Sequence, residues 1–210
     1  MTTTAGPTGP GAAARPRSLP WTGDEEADLL LAEDANALLI GFVLDQQVTV
    51  QKAFSGPLEL RRRVGTIDPR ELAAMPAERL AAVFAERPAI HRFPTAMAQR
   101  VQALAAHLVA EYGGDGEAIW RGVDSGAELW KRLSRLPGFG EMKARNVLRL
   151  LEKQYGVHPP GIDALLPAHP TLGDVTTAEE LAEYQAQKRA HKARLRAEGA
   201  LPARPARARR

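Results

Sequence analysis

Apolar residues recur along this chain at helical rather than strand spacing. Met97, Val101, Leu104, Leu108 and Tyr112 form one such stripe, opened by Pro94 and closed by Gly113-Gly114. Leu129, Trp130 and Leu133 form a second behind Ser125-Gly126-Ala127-Glu128, which reads as a capping box. Val147, Leu148, Leu150 and Leu151 form a third after Gly140. The uncharged run from Ala37 to Leu44 is too short to span a bilayer and reads as a helix buried on most sides. The polar triplet Asp45-Gln46-Gln47 interrupts it, and the helical pattern resumes from Val48 to Phe54.

Helix starts are marked by Asp24 with its following acids, by Asp68-Pro69, by Met75-Pro76, and by Thr177-Ala178-Glu179-Glu180, a second capping box. No segment alternates with a period of two, and no internal repeat is visible. The pattern predicts an all-α protein of many short helices with polar joints. Residues 1–20, rich in Gly, Pro, Thr and Ala, read as a disordered tail. Residues 21–198 read as one helical domain and 199–210 as a basic disordered tail.

Composition narrows the chemistry. There is no cysteine, which excludes disulfides, thiolate zinc sites and any cysteine-held iron–sulfur cluster. His158, His169 and Asp163 lack metal-ligand spacing, so no metal site is expected. No apolar run is long enough for a membrane span and the start lacks a signal peptide's apolar segment, so a cytoplasmic protein is expected. The formal charge is only +3, but from Lys188 to Arg210 nine Lys or Arg face a single acid, Glu198. Two readings of that stretch stand: a polyanion-binding segment and a solubilising tail.

The segment with the clearest chemistry is Leu136-Pro137-Gly138-Phe139-Gly140, between two amphipathic helices. Proline ends the first helix near Arg135. The glycines accept close approaches and unusual backbone angles, and Leu136 and Phe139 pack into the helices. Bare N–H groups at the start of the next helix form a phosphate site, to which Lys143 and Arg145 add charge.

Leu136 to Gly140 resembles the hairpin of the helix-hairpin-helix base-excision DNA glycosylases, the superfamily named for that hairpin and a Gly/Pro-rich loop ending in aspartate. Gly156-Val157-His158-Pro159-Pro160-Gly161-Ile162-Asp163 follows one helix later, where the family places that aspartate. Leu44-Asp45-Gln46-Gln47-Val48-Thr49 stands where the family ends a buried helix in a polar segment carrying a wedge residue. The likeness covers about residues 36–170.

It implies two helical lobes around a cleft, a monomer on double-stranded DNA, and base flipping followed by hydrolysis of the N-glycosidic bond. Asp163 would be the catalytic carboxylate; capping a helix before Ala164-Leu165-Leu166 is its other reading. Those three residues depart from the family's frequent Thr-His-Val. Gln47, with Gln46 beside it, would be the wedge, or both are ordinary joint residues. Met142 stands where bifunctional members carry a nucleophilic lysine, which implies a monofunctional enzyme using water. Lys143, about 100° further around the helix, is expected to point toward phosphate.

No organic cofactor is implied; a monovalent cation at the hairpin carbonyls is. By analogy alone, lysine-free pockets favour alkylated purines. Trp120, Trp130 and Tyr112 are candidates to stack on a flipped base or to sit in the core. His91 and Arg92 belong to a loop either facing the pocket or solvated. A helix-hairpin-helix protein that binds DNA without catalysis is the alternative, and a protein-interaction scaffold a third class.

Overall fold

The computed structural model describes residues 15–198. Those residues form ten α-helices and three short 3-10 turns, with no strand among them. The helices are α1 (Glu25–Glu33), α2 (Ala35–Leu44), α3 (Val50–Phe54), α4 (Gly56–Val64), α5 (Pro69–Ala74), α6 (Ala77–Ala85), α7 (Pro94–Tyr112), α8 (Gly126–Ser134), α9 (Glu141–Tyr155) and α10 (Ala178–Ala197). No described helix is long and apolar enough to cross a membrane.

The local signals work as their chemistry requires. The carboxylates of Asp24, Asp34 and Asp68 each accept from N–H groups in the first turn of α1, α2 and α5. Thr177 and Glu180 complete a reciprocal capping box at α10. At α8 only half of the expected box forms. Ser125 accepts from the Glu128 N–H at 3.2 Å, but the Glu128 carboxylate turns to Arg132 at 3.0 Å. An ion pair one turn along the helix outcompetes the backbone donor there. α4 is an element the apolar pattern does not announce; Pro57 in its first turn and Gly65 behind it are its punctuation.

α2 is the hub. Every residue from Ala37 to Leu44 is buried, and the helix packs against α1, α3, α4, α7 and the 3-10 turn Gly116–Ile119. α5 and α6 lie along α7, α8 pairs with α9, and α9 packs on the turn Leu172–Asp174. The buried side chains join into one connected core. Below α2 an aromatic cluster is packed edge to face, Trp21 to Phe54 at 4.9 Å and Phe42 to Phe54 at 5.1 Å between ring centres.

The order expected from residue 21 onward begins earlier. Leu19 is fully buried, its N–H donates to the Asp28 carbonyl at 3.0 Å, and Arg15 donates to the Glu33 carbonyl at 3.0 Å. Trp21 then ties this segment across the molecule, its indole N–H donating to the Val175 carbonyl at 3.2 Å. The buried Asp28 carboxylate is satisfied by the Trp21 and Thr22 N–H groups and the Thr22 hydroxyl. One apolar anchor, Trp21, thus orders residues whose composition reads as tail. The basic tail expected over 199–210 lies outside the described residues.

Truncating the centre of the aromatic cluster tests whether it holds the α2 neighbourhood. Phe54→Ala is expected to cost about 3–5 kcal/mol, measured by urea denaturation. Arg62→Ala, which removes an exposed pair with Glu26, is expected to leave the midpoint in place. A Phe54→Ala midpoint equal to that of Arg62→Ala would show the cluster to be inessential.

Candidate nucleic-acid interface

α8 ends at Ser134 with Arg135 as its cap, and α9 begins after Gly140. Leu136 and Phe139 are buried, and the Phe139 N–H closes the turn on the Leu136 carbonyl at 3.0 Å. Pro137 lies between them. Gly138 has φ +82°, the left-handed region that a side chain disfavours, and an added Cβ would stand 3.4 Å from Val43 Cγ2. Gly138 therefore faces α2. Gly140 is open: nothing lies within 4 Å of where its Cβ would be, and no side chain caps α9. The first N–H groups of α9 and the positive end of its dipole are left to solvent or to an anion.

The turn is fastened to the end of α2. Phe139 packs on Phe42, with ring centres 6.3 Å apart. The Lys143 ammonium donates to the carbonyls of Val43, at 3.1 Å, and Gly138, at 3.2 Å. Lys143 is thus turned back into the protein, and the phosphate-facing direction expected of it is corrected. The ammonium closes a carbonyl at the end of α2 that has no helical partner, and it lies at the negative end of that helix dipole. The Gly138 carbonyl, a candidate ligand for a cation, is taken by that ammonium. Burial pushes the Lys143 ammonium down to about 8, opposed by Asp45 and aided by Arg100.

The joint 45–49 following α2 is held from several sides. The Gln46 amide donates to the Val43 carbonyl at 3.0 Å, and its side-chain oxygen accepts from Arg100 of α7. His91, only 1% exposed, bonds the Gln46 carbonyl through Nε2 at 3.0 Å, while its Nδ1 accepts from the Phe93 N–H at 3.1 Å. Those partners fix the neutral ring with the proton on Nε2, and burial holds its pKa below the ordinary histidine value. Gln46 is accordingly a structural residue, whereas Gln47 is exposed at φ +55°, the only positive-φ residue other than glycine among those described. His91 and Arg100 were not legible as loop holders: the first reads as a loop residue between prolines, the second as an ordinary charge on a helix.

Asp163 opens the 3-10 turn Asp163–Leu165. Its side chain makes no capping bond, so the helix-cap reading is not realised. The carboxylate is 74% exposed, and the His158 imidazole Nε2 stands 3.5 Å from it. The segment before it is pinned to α8, where the Gly126 N–H donates to the Pro160 carbonyl at 2.9 Å and a Cβ at Gly126 would come 2.6 Å from Ile162 Cα. Arg145 ties the turn to α9, donating to the Leu165 carbonyl at 3.0 Å while lying over Trp130.

Met142 is 74% exposed, at the open end of α9. Trp120 is buried against Tyr155 and Trp130 is half-buried under Arg145, so neither is a bare stacking platform. Tyr112 lines a cavity of about 660 Å³ between α7 and α8, with His107, Glu128, Lys131, Arg132 and Arg135. Asp163, Gln47 and Met142 are not among its walls. Arg92 is exposed and lies over Phe93. Among the described residues no cluster of His, Asp and Glu has the arrangement of a metal site.

Comparison with protein families and with curated proteins gives no match to this chain.

The buried ammonium has a pH signature. Lys143 titrates near 8 when folded and near its ordinary 10.5 when unfolded. Between those values the unfolded chain binds more protons, so stability rises with pH across that window. Urea midpoints of wild type and Lys143→Met, compared at pH 7 and pH 10, are expected to diverge in the wild type's favour at the higher pH. A constant gap would mean that the ammonium is not desolvated.

Proposed function

We propose that this chain is a DNA glycosylase that flips one nucleotide from a duplex and hydrolyses its N-glycosidic bond without cutting the strand. The observation that carries the reading is the fastening of the turn 135–140 to the end of α2. A phosphate-binding helix start and an exposed, strained glutamine are thereby held on one rigid unit. Read this way, α8, the turn and α9 are a helix-hairpin-helix, and the helix groups on either side of α2 are two lobes.

The backbone phosphate binds the uncapped N–H groups of α9 beside Gly140, with the left-handed Gly138 keeping the turn tight. Gln47 enters the duplex and fills the space of the extruded nucleotide, whose unstacking costs a few kcal/mol and least at damaged or mismatched bases. Asp163 supplies the negative charge. Its carboxylate stabilises the sugar cation as the base leaves and takes a proton from the water whose oxygen bonds C1′. The products are a free base and an abasic sugar. Met142 offers no amine, and the Lys143 amine is engaged with two carbonyls, so no Schiff base with the sugar is part of the route.

A second reading, a DNA grip without chemistry, draws on one observation: Asp163 stands exposed beside His158 rather than in a dry cavity.

Release of free base separates the two. The full chain is incubated with duplexes bearing alkylated, deaminated or oxidised bases or mismatches, and strand breaks are scored before and after hot alkali. Breaks only after alkali, reduced about 100-fold or more by Asp163→Asn, are expected, and Gln47→Ala should lower the rate while leaving binding to an abasic duplex. Base release undiminished in Asp163→Asn would remove Asp163 from the mechanism. Breaks without alkali, with a borohydride-trapped adduct, would give Lys143 a lyase role. Tight binding with no release from any duplex would establish the non-catalytic grip.

A further inference from the structure

The function proposed above uses one end of α2 and the turn beside it, and leaves α10 without a role. α10 is twenty residues long, yet only Leu181 on it is buried. Tyr184 is half-buried against the core, and the Gln185 amide donates to Gln51 of α3 at 3.0 Å. Burial, with the Asp45 carboxylate adding to it, pushes the Tyr184 hydroxyl up to about 12, and the bond to Gln51 sets the start of α10 against α3, just after the joint 45–49.

At 100° per residue, Leu181, Gln185, Lys188, Arg189, Lys192 and Arg196 fall on one stripe about 100° wide. The face that packs on the body in the first half of the helix therefore continues as four cations in the second. Arg189, Lys192 and Arg196 are exposed, and Lys188 lies over the Tyr184 ring. None of the four has a carboxylate partner among the described residues. Arg194, on the opposite face, does: Glu198 stands 3.8 Å away.

We propose that the inner face of the second half of α10 is an arm that tracks the phosphate backbone of the duplex next to the point where Gln47 enters. The inference rests on the DNA reading above. Charge and shape favour a polyanion. The four cations are spread over about 12 Å of a straight helix, too far apart to converge on one small anion and well matched to a strand carrying a charge every ~3.4 Å. A membrane surface is the poorer fit, because an interfacial helix needs bulky apolar residues opposite its charges. Between Ala186 and Ala197 only Leu195 is one. The position follows from the anchor: Gln185 holds α10 to α3, four residues beyond Gln47. A duplex entered by Gln47 runs beneath the stripe.

The test is the salt dependence of binding to a short undamaged duplex, for the full-length wild type, a variant with Lys188, Arg189, Lys192 and Arg196 all changed to Gln, and Arg194→Gln. Circular dichroism checks that the helix persists. Each phosphate contact contributes about 0.9 to the slope of log K against log salt. The fourfold variant is expected to lose about 3–4 from that slope, and Arg194→Gln none. An unchanged slope in the fourfold variant, with wild-type binding intact, overturns the arm and leaves the DNA reading standing. A loss in Arg194→Gln equal to the per-residue loss of the stripe also overturns it, because the effect is then net charge rather than an oriented face. Failure of the wild type to bind duplex overturns both. Loss of binding to phosphatidylserine vesicles with an unchanged duplex slope assigns the stripe to membranes instead.

Discussion

A helix buried on all sides leaves its last carbonyls inside the protein, and those carbonyls must be satisfied there. α2 is such a helix. Its end is closed by the Asp45 N–H on Gly41, and by the Gln46 amide and the Lys143 ammonium, both on Val43. The two side chains come from different places in the sequence, one from the joint that follows and one from α9. Meeting that single requirement therefore fixes the path of residues 45–49 and the seat of the turn 135–140 together. The packing of Phe139 on Phe42 and the approach of Gly138 to Val43 add the apolar half of the same contact.

Strain at Gln47 is intelligible against this background. A left-handed backbone at a residue with a side chain costs about 1–2 kcal/mol and survives only where its surroundings over-determine it. Here they do: Gln46 is tied through its side chain to Val43 and Arg100 and through its carbonyl to His91. The neighbour absorbs every tether and Gln47 is left exposed. The backbone at Gln47 is thus fixed by its neighbour while its side chain stays in solvent.

Much of this was legible in the sequence because the signals are local. Asp24, Asp68-Pro69, Pro94 and Thr177 mark helix starts by chemistry acting within four residues, and the uncharged run 37–44 announces its burial by composition alone. The glycines of the turn follow from the same kind of reasoning. What was not legible depends on contacts across the chain. Trp21 orders residues with a tail's composition because Val175 offers a carbonyl far along the sequence. Lys143 reads as a surface cation until the α2 carbonyls appear beside it, and His91 reads as a loop residue until Gln46 needs a donor. The capping box at Ser125 fails for a nearer reason, since Glu128 faces both a backbone N–H and Arg132 and takes the charge.

The direction in which Lys143 points also decides what the turn can bind. α2 ends and α9 begins at almost the same place, so the negative end of one helix dipole lies near the positive end of the other. Turned inward, the ammonium is the second donor on the Val43 carbonyl, beside the Gln46 amide. It contributes no cap to α9, whose first N–H groups have no side-chain partner. Attraction for an anion there comes from backbone donors fixed in space, and the nearest acid on the helix, Glu141, is neutralised by Arg145 at 2.9 Å. Backbone donors take any phosphate regardless of sequence, so under the proposed reading this end would grip a duplex without reading it. Under the glycosylase proposed above, discrimination among nucleotides would fall to what Gln47 displaces and to the surfaces that meet the displaced base.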